Sequence, residues 1–495
     1  MKNRSRKRMI TSVLLFFSMS VMSCAPEVVT TKPPVDTTVV KPAAESYVRI
    51  SPQNKAYLQL TNGDTFIPIG INTSFIRQED KEEVILQKYE HYFQETAKYG
   101  GNFARIWLSA PAFEIENKKI GVYDSVIAQR VDKLVALAEK YQIRLKLCFE
   151  HFRDLTGYPA PFVYSLAFDK PFYAVKNGGK FKDMPDYINS KEGRAVYLNR
   201  AAFWLNRYAN KPIIFGWELW NEMEHTRVPT PAVEAWMKEI FPGVKKLAPN
   251  HLVMQSMGSM STSWARSIYK TFSAIPDNSI AQVHRYLDMG AELAVCRGPM
   301  DELAADAIND LRSFNLDKPI VLAETSAVEP NHSGPSKLFD KDVNGILFHD
   351  LLFAPFFSGS AAPGQSWYWD FYVDKNNLWY HLGRFSQAIK GFDPVKENAK
   401  PYFSNGENQL KIYSLLGTGK DLVWIRDGEN NWQTELVNGK APRVVKSQKF
   451  KLESGVVRVE FYDPWKQQWT KGEIKNNATI LPDFSRSIVV RVEKM

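Results

Sequence analysis

Two segments of the chain end in a carboxylate in the same manner. Pro212-Ile213-Ile214-Phe215-Gly216-Trp217-Glu218-Leu219-Trp220-Asn221-Glu222 starts apolar and turns polar at its end, and Pro319-Ile320-Val321-Leu322-Ala323-Glu324-Thr325 repeats the form. Each reads as a short buried strand. A charge placed there is costly unless it is paired or used. A single such carboxylate could do no more than cap a loop. Two at equivalent strand ends could divide the labour of breaking a glycosidic bond: one protonated to assist the leaving oxygen, the other ionised to attack. Their surroundings must then push the two pKa values apart. Desolvation among Trp217 and Trp220 is expected to keep Glu222 protonated, and Arg105 with a Tyr hydroxyl to keep Glu324 ionised.

Strand and helix patterns alternate around these segments. Strands are expected over Phe66–Asn72, Asn102–Leu108, Ile143–Glu150, the Glu222 segment, Leu252–Met257, Ile280–Tyr286, Ile320–Glu324 and about Gln365–Trp369. Helical stretches separate most of them, including one ending at Tyr99, Ser125–Tyr141, Glu192–Tyr208, Glu302–Phe314 and Asp340–Leu352. Eight strands alternating with helices predict a (β/α)8 barrel over 47–393. A doubly wound sheet is the competing topology, but it does not explain polar residues at so many strand ends. Those ends carry Asn72, Arg105, Trp107, Glu150, His151, Asn221, Glu222, His284, Tyr286, Glu324, Trp367 and Trp369. Any one of them is ordinary; their coincidence at one end of a barrel is what points to a site.

Trp217-Glu218-Leu219-Trp220-Asn221-Glu222, followed about a hundred residues later by Ala323-Glu324-Thr325, resembles the clan A glycoside hydrolases, and most of all family 5, over roughly 47–390. The resemblance implies Glu222 as acid/base, Glu324 as nucleophile, and Asn221 on the sugar 2-hydroxyl. It also implies substrate contacts for Arg105, for His284 and Tyr286 of the His-x-Tyr on the sixth strand, and for Trp369 or Trp367 on the eighth. His151 matches the family's third-strand His loosely, because Glu150 precedes it. Carboxyl groups about 5–5.5 Å apart would be the spacing of a retaining enzyme.

The long stretch from Phe152 to Ser190 holds Tyr158, Phe162, Tyr164, Phe168, Phe172, Tyr173 and Phe181. It reads as a wall of the sugar cleft or as a flap packed on itself. After Pro394 the pattern changes to short strands without helices, at Leu410–Leu415, Asp421–Ile425, Val456–Phe461 and Ser487–Val492, which predicts a small antiparallel β-sandwich over 394–495. Within it, Tyr462-Asp463-Pro464-Trp465 could be a sugar platform, but packing against the barrel is the simpler reading.

Met1–Ser23 has a basic head and an apolar core, the layout of an export signal, and is short for a membrane span. Val21-Met22-Ser23-Cys24 resembles a bacterial lipobox, which would make Cys24 the lipidated first residue, with ordinary secretion as the alternative. Residues 24–46 read as a tether rich in Pro, Thr, Val and Lys. The segment before Cys24 holds five Lys and Arg and no acid, so the formal net charge of +9 falls to +4 without it. That is too mild to argue for a nucleic-acid partner, and no basic run follows the N-terminus, so none is expected. Cys148 lies in an apolar run and reads as a buried hydrophobe; whether it pairs with Cys296 stays open. No metal-ligand spacing, phosphate loop or dinucleotide fingerprint occurs, so neither metal nor cofactor is expected. These observations predict a monomeric, lipid-anchored, retaining β-glycosidase, with endo action favoured by the aromatic loop. An exo-acting β-galactosidase- or β-glucosidase-like enzyme and an inactive surface glycan-binding lipoprotein are the alternatives.

Overall fold

A computed structural model describes residues 46–76, 81–151, 153, 155 and 172–495. The expected signal, Cys24 and the tether up to 45 lie outside the described residues, as do Tyr158, Phe162, Tyr164 and Phe168. Five parallel strands run side by side, β1 (Gly70–Asn72), β2 (Phe103–Trp107), β3 (Arg144–Cys148), β4 (Ile214–Glu218) and β5 (Leu252–Met254). Two more pair with each other, β6 (Ala281–His284) and β7 (Ile320–Glu324). Ser279 N donates to Val253 O at 2.8 Å and Met260 N to His284 O at 2.8 Å, linking the fifth and sixth strands. On the other side, Trp367 N donates to Thr325 O and Asn72 N to Ser366 O. Residues 365–367 thereby join β7 to β1, and the sheet closes as a (β/α)8 barrel.

Local chemistry accounts for where the expected boundaries move. The first expected strand is split by Pro68, which has no N–H for a ladder. Thr65–Phe66 instead joins Val48–Ile50 and Leu58–Leu60 in a small antiparallel sheet. The eighth expected strand is a single bridge between Ser366 and Thr325. Tyr368 has φ 59, so the chain leaves the extended conformation there, and Trp369 begins a π-turn, Trp369–Asp374. The helix expected from Asp340 begins at Ile346, because Gly345 has φ 68 and Asp342 accepts from the N–H groups of Ile346 and Leu347. Asp124 caps Ser125–Tyr141 and Ser190 caps Lys191–Tyr208 in the same way, satisfying donors at the helix start.

Beyond the barrel, six antiparallel strands form one sheet, in the order Lys400–Asn405, Leu410–Leu416, Lys420–Asp427, Ser487–Lys494, Val456–Asp463, Gln468–Lys471. Two short strand pairs, Val444–Val445 with Phe484–Ser485 and Gln448–Lys451 with Ala478–Leu481, accompany it to complete the small all-β domain. Helix Ile346–Phe357 is buried along its whole length, with Phe353 and Phe357 against Trp424 of the sheet. Arg426 grips Asp350 of that helix with two bonds of 2.8 and 3.0 Å. Trp465 lies between the guanidinium groups of Arg384 and Arg486, at 4.6 and 4.4 Å, and its indole meets His349. It is a packing residue in this arrangement. Cys148 and Cys296 are both buried free thiols. Among the described residues no helix is long and apolar enough to cross a membrane.

Asp350 and Arg426 are each 1% exposed. Removing one partner of such a pair leaves a buried charge, whereas removing both does not. Asp350→Ala should therefore cost about 3–5 kcal/mol of stability in urea denaturation. Asp350→Leu combined with Arg426→Met should cost far less; an equal loss in both variants would show that packing, not charge, holds the junction.

Candidate active site

The barrel interior carries a polar layer where an apolar one would be simpler. Alternation along the strands turns Arg105 of β2, Lys146 of β3, Glu218 of β4 and Gln282 of β6 inward, and all are buried. Buried polar groups must be paired, and these are. Arg105 Nε donates to Glu218 Oε2 at 2.6 Å, Gln282 Nε2 to Glu218 Oε1 at 2.7 Å, and Lys146 Nζ to Gln282 Oε1 at 3.0 Å. Burial would raise the Glu218 carboxyl, but Arg105 and Lys146 outweigh it and hold it below its ordinary value. Burial lowers Lys146 to about 8, against the pull of Glu218.

The remaining Arg105 donors reach up to the mouth of the barrel. Nη2 donates to Asn221 Oδ1 at 2.6 Å, and Nη1 to Asn72 Oδ1 at 3.2 Å and to a carboxylate oxygen of Glu324. Tyr286 Oη donates to the other Glu324 oxygen at 2.6 Å. Glu222 faces this pair. Its Oε1 lies 2.8 Å from His284 Nδ1, which is also 3.4 Å from Glu324 Oε2. One donor atom from each of Glu222, His284 and Glu324 lies within 4.8 Å of the others. Among the described residues no other group has the spacing of a metal site, and here Arg105 already supplies positive charge to Glu324.

Two like carboxyls this close cannot both ionise freely. Burial raises the Glu222 carboxyl well above its ordinary value, and the neighbouring Glu324 charge adds to the rise. Burial raises Glu324 as well, but Arg105 and the Tyr286 hydroxyl pull it back. A proton shared by the pair therefore rests on Glu222. His284 is lowered well below its ordinary value by burial and by Arg105 and Lys146, so its ring is neutral.

The main chain of Glu222 has φ 49 and ψ 66, a conformation unfavourable for a residue with a side chain. Neighbours hold it there: Asn221 N donates to Glu150 O at 2.8 Å, Glu222 N to Ser256 Oγ at 3.3 Å, and His225 N to Glu222 O at 3.0 Å. Such strain, about 1–3 kcal/mol, persists where the surrounding structure over-determines it, and it clusters at functional positions.

Several expected residues take other places. Trp217 stacks on Phe149 at 5.0 Å and donates to His251, while Trp220 packs on Tyr197 and Trp236. These contacts are with outer residues and helices, so the two indoles are not the flanks of Glu222 that the sequence suggested. Glu150 is not a cleft residue either; it is gripped by Arg153 and Arg200 in a buried cluster with Glu114. Tyr173 of the aromatic stretch lies over Arg153 and donates to Glu116, and Phe181 packs on Tyr187.

Trp107, 2% exposed, stacks between Phe75 (5.2 Å) and His151 (4.6 Å), and His151 Nδ1 meets Ser109 Oγ at 2.6 Å. Burial lowers His151 to about 3, leaving it a neutral support for the indole. Trp367 lies 5.2 Å from Trp107 and retains 7% exposure, whereas Trp369, edge-on to it, is fully buried. Of the two, Trp367 alone retains measurable exposure. Sequence reasoning passed over Glu218, Lys146, Gln282 and His225. Glu218 had a signal, since a carboxylate in the body of a buried strand demands a cation on another strand.

A family model described as Cellulase (glycosyl hydrolase family 5) matches residues 61–343. Mannan endo-1,4-beta-mannosidase 4 of Oryza sativa is 27% identical over 201 residues, which cover 39% of this chain and 42% of that protein. Mannan endo-1,4-beta-mannosidase 7 of Arabidopsis thaliana is 24% identical over 333 residues, covering 62% and 74%. Among solved structures, a glycoside hydrolase family 5 protein from Bacteroides vulgatus superposes with TM-score 0.58 at 14% identity, covering 92% of this chain and 95% of that one. The endo-1,4-beta-mannanase of Rhizomucor miehei gives 0.50 at 17%, covering 69% and 100%. The match to the rice protein thus spans less than half of that protein's length, and the structures share the fold.

The charge on Glu324 is, after burial, the largest of the causes that raise Glu222, so Glu324→Gln should lower the Glu222 pKa. Titration of the labelled carboxyl by 13C NMR follows it directly. A Glu222 that does not move would show that the Glu324 charge does not set its protonation.

Proposed function

Because the chain belongs to glycosyl hydrolase family 5, we propose that it is a retaining, endo-acting β-glycoside hydrolase whose substrate is a mannan-like polysaccharide. The observation that carries the mechanism is the Glu222–Glu324 pair, with carboxylate oxygens within 4.8 Å across the barrel mouth and unequal surroundings. An inverting pair stands about 6.5–9.5 Å apart to admit a water between substrate and base; a retaining pair stands about 5–5.5 Å apart. Glu324, aimed by Arg105 and Tyr286, attacks the anomeric carbon as Glu222 gives its proton to the departing oxygen. The C–O bond to the leaving sugar breaks, and a glycosyl ester with Glu324 forms. Water, losing its proton to Glu222, then displaces the ester and regenerates both carboxyls.

Asn221 Oδ1 accepts from Arg105, and its buried Nδ2 has no partner among the described residues. That leaves a donor for the sugar 2-hydroxyl. The Trp367 face suits the C–H face of a pyranose ring. Mannan is preferred as substrate because the rice and Arabidopsis relatives are named as mannan endo-mannosidases. The export signal and Val21-Met22-Ser23-Cys24 support a further part of the proposal: the domain is held at a bacterial membrane by a lipid on Cys24.

Incubation with β-mannan, β-glucan, xylan and galactan should yield oligosaccharides from mannan, with the β-anomer appearing first by 1H NMR. Release of monosaccharide alone would favour the exo reading, and first appearance of the α-anomer would overturn retention. Glu324→Ala should abolish turnover, and azide should restore part of it. Equal glycan binding by wild type and variant with hydrolysis by neither would favour a binding protein. In a bacterial host, labelled palmitate should enter the wild type but not Cys24→Ser; labelling of neither would indicate ordinary secretion.

A further inference from the structure

Glu222 is met by a second imidazole that the mechanism above does not use. His225 Nε2 stands 3.4 Å from Glu222 Oε2, on the side away from His284. The placement follows from local geometry. Met223–Thr226 is one turn of 3-10 helix, and Glu222, in its left-handed conformation, stands immediately before it. His225 N bonds to Glu222 O, and Thr226 Oγ1 closes the turn on Met223 O at 2.7 Å. From the fifth-strand loop, Gly258 leaves room for the Glu224 carboxylate, which a Cβ there would strike. The turn is therefore held, and the ring with it.

The proton on Glu222 can be assigned to one oxygen. His284 Nδ1 faces both carboxyls, at 2.8 and 3.4 Å, while its Nε2 has no hydrogen-bond partner among the described residues. Placing the ring proton on Nδ1 satisfies the carboxyls and leaves only a lone pair unmet; the other tautomer would orphan a buried N–H. Oε1 of Glu222 is then an acceptor, and its proton sits on Oε2, facing His225. The side chain of His225 is 31% exposed against 0% for His284, so Oε2 is the oxygen on the open side.

We propose that His225 is a positioning residue for the acid: its Nε2 accepts from Glu222 Oε2–H in the free enzyme and holds that proton toward the leaving-group side until a glycosidic oxygen takes the bond over. Among the described residues, the charged and titratable groups around the ring include Glu222, Glu224 and Arg227 on its own turn, Glu324 at the end of β7, His284 at the end of β6, and His332 on the loop following β7. Burial and Arg227 lower His225 against the pull of Glu224 and Glu324, which keeps the ring neutral and able to accept.

The inference rests on the hydrolase reading, and the test separates the two. Wild-type turnover of mannohexaose and of 2,4-dinitrophenyl β-mannobioside tests that reading. His225→Phe tests the inference, because a dinitrophenolate leaves without a proton whereas a sugar needs one. The variant should lose about tenfold to a hundredfold in kcat/KM on mannohexaose, only a few-fold on the aryl glycoside, and its basic limb should move to lower pH. His225→Gln, which keeps an acceptor, should recover part of the loss and serves where the Phe variant folds poorly. Equal losses on both substrates, or an unmoved basic limb, would overturn the role. Should the wild type turn over neither substrate, 13C titration of Glu222 still decides: a lowered pKa in the variants supports the hydrogen bond, and an unchanged one refutes it.

Discussion

The Arg105 guanidinium is the group on which the rest of the site depends. It is fully buried, and such a cation survives only with its donors matched to acceptors. Its partners come from distant parts of the chain: Asn72 of β1, Glu218 of β4, Asn221 just beyond β4, and Glu324 at the end of β7. The planar fork fixes directions as well as distances, which a lysine could not do. One side chain thus sets the spacing of Asn221 and Glu324, and Glu218 anchors it from below. Asn72 extends the network by donating to Ala323 O and Gln365 O, where the short eighth segment would otherwise meet β1 with little ladder.

The two carboxyls at the mouth are supported by opposite means. Glu324 is held by charge, between a guanidinium and a phenol, and burial is resisted there. Among the described residues Glu222 has no Lys or Arg in direct contact; a neutral imidazole faces Oε1, and a strained main chain aims the carboxyl. Under the proposed roles this difference is required. A nucleophile needs fixed positive partners, whereas an acid must lack them, since each would lower its pKa. Backbone strain can position a group without touching its charge, so it suits the acid side.

Much of this was legible in the sequence, for identifiable reasons. Both Glu-terminated strands, Arg105, Asn221, His284 and Tyr286 were readable because barrel strands present their ends to one face, and that rule needs only strand order. The orientation of Trp217 and Trp220 was not legible from proximity alone. Alternation sends Trp217 outward while Glu218 points in, and counting residues from Glu222 ignored it. Glu150 looked like a site residue because it ends a strand, yet its partners Arg153 and Arg200 lie three and fifty residues further along the chain. Trp369 was misplaced by the left-handed turn at Tyr368, a conformation its sequence does not announce. His225 meets Glu222 across a turn that begins at a left-handed Glu222, a conformation the Glu-x-x-His spacing does not announce.

One helix shows how the β-domain bears on the site. Helix Ile346–Phe357 connects β7, which ends in Glu324, to residues 365–367, which carry Trp367. An isolated barrel would show the outer face of that helix to water, yet every residue of it is apolar or paired and buried. Phe353 and Phe357 meet Trp424, Asp350 meets Arg426, and His349 Nε2 meets Ser487 Oγ at 2.8 Å. The sequence of this helix thus presupposes the sheet. The barrel cannot bury its own last turn, and the strand and loop carrying Glu324 and Trp367 hold their places because the second domain covers what joins them.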